Sequence, residues 1–144
     1  MVPSGGPRDR VPDVGGSGSE PFETSIAPWL AVNDAQKAVD FYRAAFGAAE
    51  ITRLDDHGRL VVAELSVGGA VFWVQEDEDA SPDAPGVGSV RMILSVEDPD
   101  PAFDRAVAAG ATVVAQVHEE HGWRTGRITD PFGHDWEVSR RLPT

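Results

Sequence analysis

LAVNDAQKAVDFYRAAFG (residues 30–47) and LSVEDPDPAFDRAVAAG (residues 94–110) are two versions of one phrase: an apolar strand end, an acidic cap, an amphipathic helix and a closing glycine. The likeness continues past each glycine, since strand-like runs lead to AVFWV (residues 70–74) in the first copy and to HDWEV (residues 134–138) in the second. Leu30 aligns with Leu94, Val32 with Val96, Asp34 with Asp98 and Val74 with Val138 at one offset of about 64 residues. A chain built from two copies of one unit tends to hold its ligand between them.

Outward from the first copy, TSIAPWLAV (residues 24–32) is a strand pattern, with Ile26, Leu30 and Val32 on one face and Ala27, Trp29 and Ala31 on the other. Asn33 and Asp34 supply a helix cap, Ala38, Val39, Tyr42, Ala45 and Phe46 form the apolar stripe, and Gly47 suits a left-handed C′ residue. A strand over residues 50–54 turns at DDHG (residues 55–58), a second covers 60–67, and Gly68-Gly69 is a hairpin loop into a third over 70–75. The second copy repeats the order: strand 89–96, a helix with Asp100 as N-cap and Pro101 in its first position, and strands near 112–117, 124–129 and 134–139. DPFG (residues 130–133) fits a type I turn. The expected domain plan is a disordered tail over residues 1–23, units over 24–75 and 89–144, and an acidic, Pro- and Gly-containing linker over 76–88.

Composition narrows the function classes. The chain has 12 Lys and Arg against 24 Asp and Glu, a formal charge of −12, which argues against nucleic acid or an anionic membrane as partner and allows a cationic one. There is no cysteine, so thiolate metal sites, disulfides and a cysteine nucleophile are excluded. No apolar run approaches the roughly 20 residues of a membrane span and no secretion signal is legible, so the expected location is the cytoplasm.

Tandem βαβββ units carrying DAQKAVDFYRAAFG (residues 34–47) and GWRTGRITDPFGHDWEV (residues 122–138) resemble the vicinal oxygen chelate superfamily of glyoxalases, bleomycin-resistance proteins and extradiol dioxygenases. The resemblance implies an α+β fold whose two mixed sheets cup a central cleft. It leaves function open, because such folds host lyases, isomerases, oxygenases and metal-free drug binders. In the metalloenzymes of this family each unit's first and last strands supply the ligands; carried onto this chain, those positions are Ala27 and Trp73, then Arg91 and Glu137. Only Glu137 can bind a metal, since alanine has no donor, the indole nitrogen has no free lone pair and a guanidinium repels a cation. With no phosphate-cradling glycine loop and no Ser-His-Asp or nucleophile motif, the expectation is a site without metal or cofactor.

Strand parity puts Trp29, Trp73, Arg91, Ile93 and Glu137 on the cup side and sends Phe72, Val74, Met92, Leu94, Trp136 and Val138 toward the helices. Trp29 and Trp73 read either as aromatic walls for a planar or cationic ligand or as a dimer interface. For Arg91 and Glu137 the alternatives are a buried structural ion pair and a pair of charges orienting a polar ligand. His118 and His121 lie three apart on a loop or strand end without a third ligand, so they read as an accident of spacing; His57 and His134 read as solvated or structural. Trp123 and Arg124 join the candidates because bleomycin-resistance-like members carry a similar Trp, Gly and Arg group beside the ligand cleft, in a different order. The resulting expectation is a homodimeric binding protein that sequesters an aromatic or cationic small molecule, antibiotics included. The rival is a lyase, isomerase or dioxygenase that is metal-dependent or uses Glu137 as base.

Overall fold

A computed structural model describes residues 22–83 and 90–143. Most of the expected tail and residues 84–88 of the expected linker lie outside them. The elements run β1 (Trp29–Val32), α1 (Ala35–Phe46), β2 (Ala49–Asp56), β3 (Arg59–Val67), β4 (Ala70–Glu76), β5 (Arg91–Ser95), α2 (Pro99–Ala108), β6 (Thr112–Glu120), β7 (Trp123–Thr129) and β8 (Asp135–Arg141). They form two four-stranded mixed sheets of identical plan, β1-β4-β3-β2 and β5-β8-β7-β6, in which the first and last strands of each unit pair in parallel. This is the α+β architecture of two tandem βαβββ units that the repeat predicts.

Local chemistry accounts for the element ends. Asp34, extended at φ −153°, accepts from the Lys37 backbone N–H at 3.0 Å, and Glu76 accepts from the Ala35 N–H at 2.8 Å, so two of the helix's orphan donors are met. Gly47 at φ 70° closes α1: its N–H donates to the Arg43 carbonyl at 3.0 Å and the Ala48 N–H donates to the Tyr42 carbonyl at 3.2 Å. Two hairpins turn on His-Gly pairs with positive φ at both residues, His57-Gly58 and His121-Gly122, a further sign of the repeat. Asp34→Ala is expected to cost about 1 kcal/mol, read as a lower urea midpoint at unchanged m-value.

Two local expectations are corrected. The first strand begins at Trp29 rather than Thr24; Pro28 has no N–H to give a ladder, and Ile26 is 97% exposed instead of sharing a face with Leu30. Helix α2 starts earlier than the expected cap at Asp100: Asp98 is its extended N-cap (φ −132°, ψ 95°) and Pro99 its first residue. Two prolines fit in that first turn because the N–H groups they lack would be unpaired there anyway. Asp100 is thereby freed for another partner.

One core joins the units. The helix-facing residues Leu30, Val32, Phe72, Val74, Met92, Trp136 and Val138 are buried, as parity predicts, and Leu94 packs against them partly buried. Aromatic contacts cross from one unit to the other: Phe46 lies 4.7 Å from Trp136 between ring centroids, and Phe72 lies 5.4 Å from it. Polar contacts cross as well. Tyr42 of α1 donates to Asp130 of the DPFG turn at 2.5 Å, and the His134 ring Nε2 is 2.9 Å from the Ala31 carbonyl, a structural role for that histidine. With the helices covering one face of each sheet, the opposite faces are left open.

Candidate functional site

On the open face of the first sheet, Trp29 and Trp73 are direct register partners and stack with centroids 5.7 Å apart and planes 22° apart. Trp29 is 54% exposed, yet its indole N–H is already given to Gln75 Oε1 at 2.8 Å. The ring is thus pinned by a stack and a hydrogen bond, and its outward offering is its π surface. Glu64, across from Trp73, is tied to Thr52 at 2.8 Å.

On the open face of the second sheet there is a recess of about 330 Å³ lined by Ile93, Glu120, His121, Trp123, Thr125 and Glu137. Glu137 pairs with Arg91, Nε 3.1 Å from one carboxylate oxygen, and accepts from the Thr125 hydroxyl at 3.0 Å on the other. The Arg91–Glu137 pair forms, but it is not buried: the Arg91 side chain is 44% exposed, so the pair adds little to stability and serves to orient the carboxylate. His118 stands at the edge of this face, opposite Thr125, with its ring bound to the Gln116 carbonyl and to Glu120; those two contacts hold its pKa above the ordinary histidine value.

The candidate residues therefore divide. Trp29 and Trp73 meet on one sheet; Arg91, Ile93, Trp123 and Glu137 gather on the other. Arg124 joins neither. Strand alternation turns it to the far side of β7, where it forms a two-point contact with Asp100 of α2 (2.7 and 2.6 Å) and reaches Glu119, which raises the guanidinium pKa and lowers that of Asp100. It lines a separate, polar hollow with Glu97, Pro99 and Arg140. The groove between the units, about 500 Å³, is walled by Val67, Phe72, Met92 and Trp136, and only Arg91 and Ile93 of the candidates reach it. Thr125 and Arg127 escaped the sequence reading, although the parity that placed Glu137 puts them on its face through β7.

Residues 24–138 match the family model of the Glyoxalase/Bleomycin resistance protein/Dioxygenase superfamily. The chain belongs to this superfamily. Among members similar to it, an uncharacterized protein of Mycobacterium bovis is 36% identical over 127 residues, covering 82% of this chain and 84% of that one. TioX from Micromonospora sp. ML1 has a crystal structure that superposes with a TM-score of 0.68 at 29% identity, over 83% of this chain and all of that one. The Listeria monocytogenes fosfomycin resistance protein FosX shares the fold at 18% identity, with a TM-score of 0.65, covering 85% of this chain and 92% of FosX.

Metal-binding members of the superfamily set a test for the donor set here. At the four positions that the resemblance implies for metal ligands stand Ala27, Trp73, Arg91 and Glu137, and the one carboxylate among them is held by a guanidinium and a hydroxyl. Among the described residues no three His, Asp or Glu side chains come together as a ligand group. These four residues do not fit a divalent ion.

Proposed function

We propose that this superfamily member is a binding protein that sequesters a small organic molecule with an aromatic portion, an antibiotic among the candidates, in a cleft that uses no metal. The reading rests above all on the Trp29–Trp73 pair. An indole that is half exposed, stacked on a second indole and relieved of its N–H by Gln75 is a prepared aromatic platform. The donor set at the family's metal positions supports it against a metalloenzyme. We take the working form to be a homodimer, since Ile51 and Leu54 of β2 leave apolar surface in water that a second copy would cover; sedimentation of the purified chain as a monomer at micromolar concentration would remove that part.

Titration with an aromatic antibiotic panel should quench tryptophan fluorescence, and Trp73→Ala should weaken binding by about 2 kcal/mol, some 30-fold, with little change in melting temperature. Binding that survives Trp73→Ala at full strength, or a stoichiometric zinc, iron or nickel ion in the purified protein, would sink the reading.

A further inference from the structure

One row of side chains crosses the open face of the first sheet. Register sets Thr52 of β2 opposite Glu64 of β3, Glu64 opposite Trp73 of β4, and Trp73 opposite Trp29 of β1, so a hydroxyl, a carboxylate and two indoles stand side by side at strand spacing, about 4.8 Å per step. Trp29 stacks on Trp73 from the β1 side. The other π face of Trp73 is turned toward β3, where Glu64 is its direct neighbour.

Glu64 is partly buried, and no cation among the described residues pairs with it. The first unit's three arginines are committed elsewhere, Arg43 to Glu50 at 3.7 Å, Arg53 to Glu50 and Asp55, and Arg59 to Glu76, while Lys37 belongs to α1 on the covered side of the sheet. The nearest side chains on its own face, Val62, Ser66, Val71 and Gln75, are uncharged. Among the described residues Glu64 accepts only from the neutral Thr52 hydroxyl, at 2.8 Å to Oε1, whereas a carboxylate can accept at both oxygens. The matching row of the second sheet is the contrast. Ile93, Glu137 and Arg127 stand there in the places of Trp29, Trp73 and Glu64, and Glu137 has its own guanidinium in Arg91, 3.1 Å away. That face carries its countercharge within the protein; the first sheet presents a carboxylate without one beside an aromatic stack.

We propose that Glu64 and the free face of Trp73 form a subsite for a positively charged nitrogen, so that the ligand of this protein is an aromatic molecule carrying an ammonium group. The proposal rests on the reading of the Trp29–Trp73 pair as the aromatic platform, and Glu64 adds the charge that selects among aromatic ligands. A cation set between the indole and the carboxylate meets the negative face of the ring and an opposite charge at once, and the two attractions act in the same direction. A partly buried carboxylate is screened less by salt than one standing free in water, so the pair keeps more of its strength at physiological ionic strength. The chain's formal charge of −12 works the same way over longer range, by raising the encounter rate of a cationic ligand at low salt.

The test uses the full chain and three probes of one ring system, (naphthalen-1-ylmethyl)trimethylammonium, 1-naphthalenemethanol and 1-naphthoate, followed by calorimetry and equilibrium dialysis. The ammonium probe should bind at least about tenfold more tightly than the alcohol, with naphthoate the weakest of the three. Glu64→Gln should weaken the ammonium probe roughly tenfold and leave the alcohol unchanged. Its melting temperature should stay within about 2 °C of the parent, because glutamine keeps an acceptor for Thr52 and no ion pair among the described residues is lost. Raising sodium chloride from about 0.05 M to about 0.5 M should weaken the ammonium probe severalfold in the parent and little in Glu64→Gln. An alcohol or naphthoate that binds as tightly as the ammonium probe overturns the subsite, as does an ammonium preference that survives Glu64→Gln; if that surviving preference is lost in Glu137→Gln, the cation sits on the second sheet instead. In each of these cases alcohol binding that Trp73→Ala weakens leaves the aromatic platform standing. If none of the three probes binds, the platform falls and the subsite with it.

Discussion

Asp130→Asn should destabilise this fold by about 3 kcal/mol and lower its melting temperature by roughly 10 °C, although the change leaves the side chain's size nearly untouched. Asp130 is 3% exposed and has no cationic partner among the described residues; its carboxylate is satisfied entirely by neutral donors. Oδ1 accepts from the backbone N–H groups of Phe132 (2.9 Å) and His134 (3.0 Å), while Oδ2 accepts from the Tyr42 hydroxyl (2.5 Å) and the Trp136 indole N–H (2.9 Å). An asparagine amide has one accepting end. Whichever way it is turned, its NH₂ group faces two donors that then go unpaired in the core. One of the four bonds, that from Tyr42 of α1, ties the first unit to the second; the other three hold the turn and β8 within the second unit. A melting temperature within about 3 °C of the parent would show that this tie carries little.

The same contact gives an alkaline limit. Burial first, and then the charge and hydrogen bond of Asp130, push the Tyr42 hydroxyl pKa well above the ordinary tyrosine value. In the unfolded chain Tyr42 loses its proton near pH 10 while the folded chain keeps it, so above that pH the unfolded state binds fewer protons and stability falls as pH rises. Below about pH 10 this contribution is fully present. Tyr42→Phe should flatten the alkaline limb of a stability profile, since Tyr42 is the chain's one tyrosine.

None of this tie is visible in the amino-acid string. Tyr42 and Asp130 are 88 residues apart, and each is locally explained without the other, Tyr42 by the stripe of α1 and Asp130 by its turn. The legible features obey short-range rules: the 3.6-residue stripe ending at Gly47, the alternation that buries Trp136 and opens Glu137, and the repeat that carries both from one unit to the other. Where short-range rules compete, the string misleads. Asp98 and Asp100 each precede a proline; the earlier one is the cap, and Asp100 stands inside the first turn bonded to Arg124 of β7, a partner 24 residues away that no local rule names. Likeness of composition puts Arg124 in the cleft, whereas alternation from Trp123 alone sends it to the helix side, where it stands.

Gly126→Ala is the second large expectation, and here too a single side-chain atom is at stake. Gly126 lies on the helix-facing side of β7 with its backbone outside the left-handed region, so its need for glycine is one of space. A Cβ built there would sit 2.7 and 2.8 Å from Phe103 ring carbons and 2.9 Å from a Val117 methyl. Phe103 is 2% exposed in the middle of α2, and its ring is a rigid plate rather than a flexible tip, so the helix itself has to lift away from the sheet. Overpacking of this kind should cost about 2–3 kcal/mol. Phe103→Leu creates room at its own cost, so in the Gly126→Ala background it should recover part of the loss, giving a favourable coupling of about 1 kcal/mol in a double-mutant cycle. Additive losses would mean that the ring yields without help. In that case the closeness of α2 to β7, which also sets the reach of Arg124 to Asp100, is not fixed by this glycine.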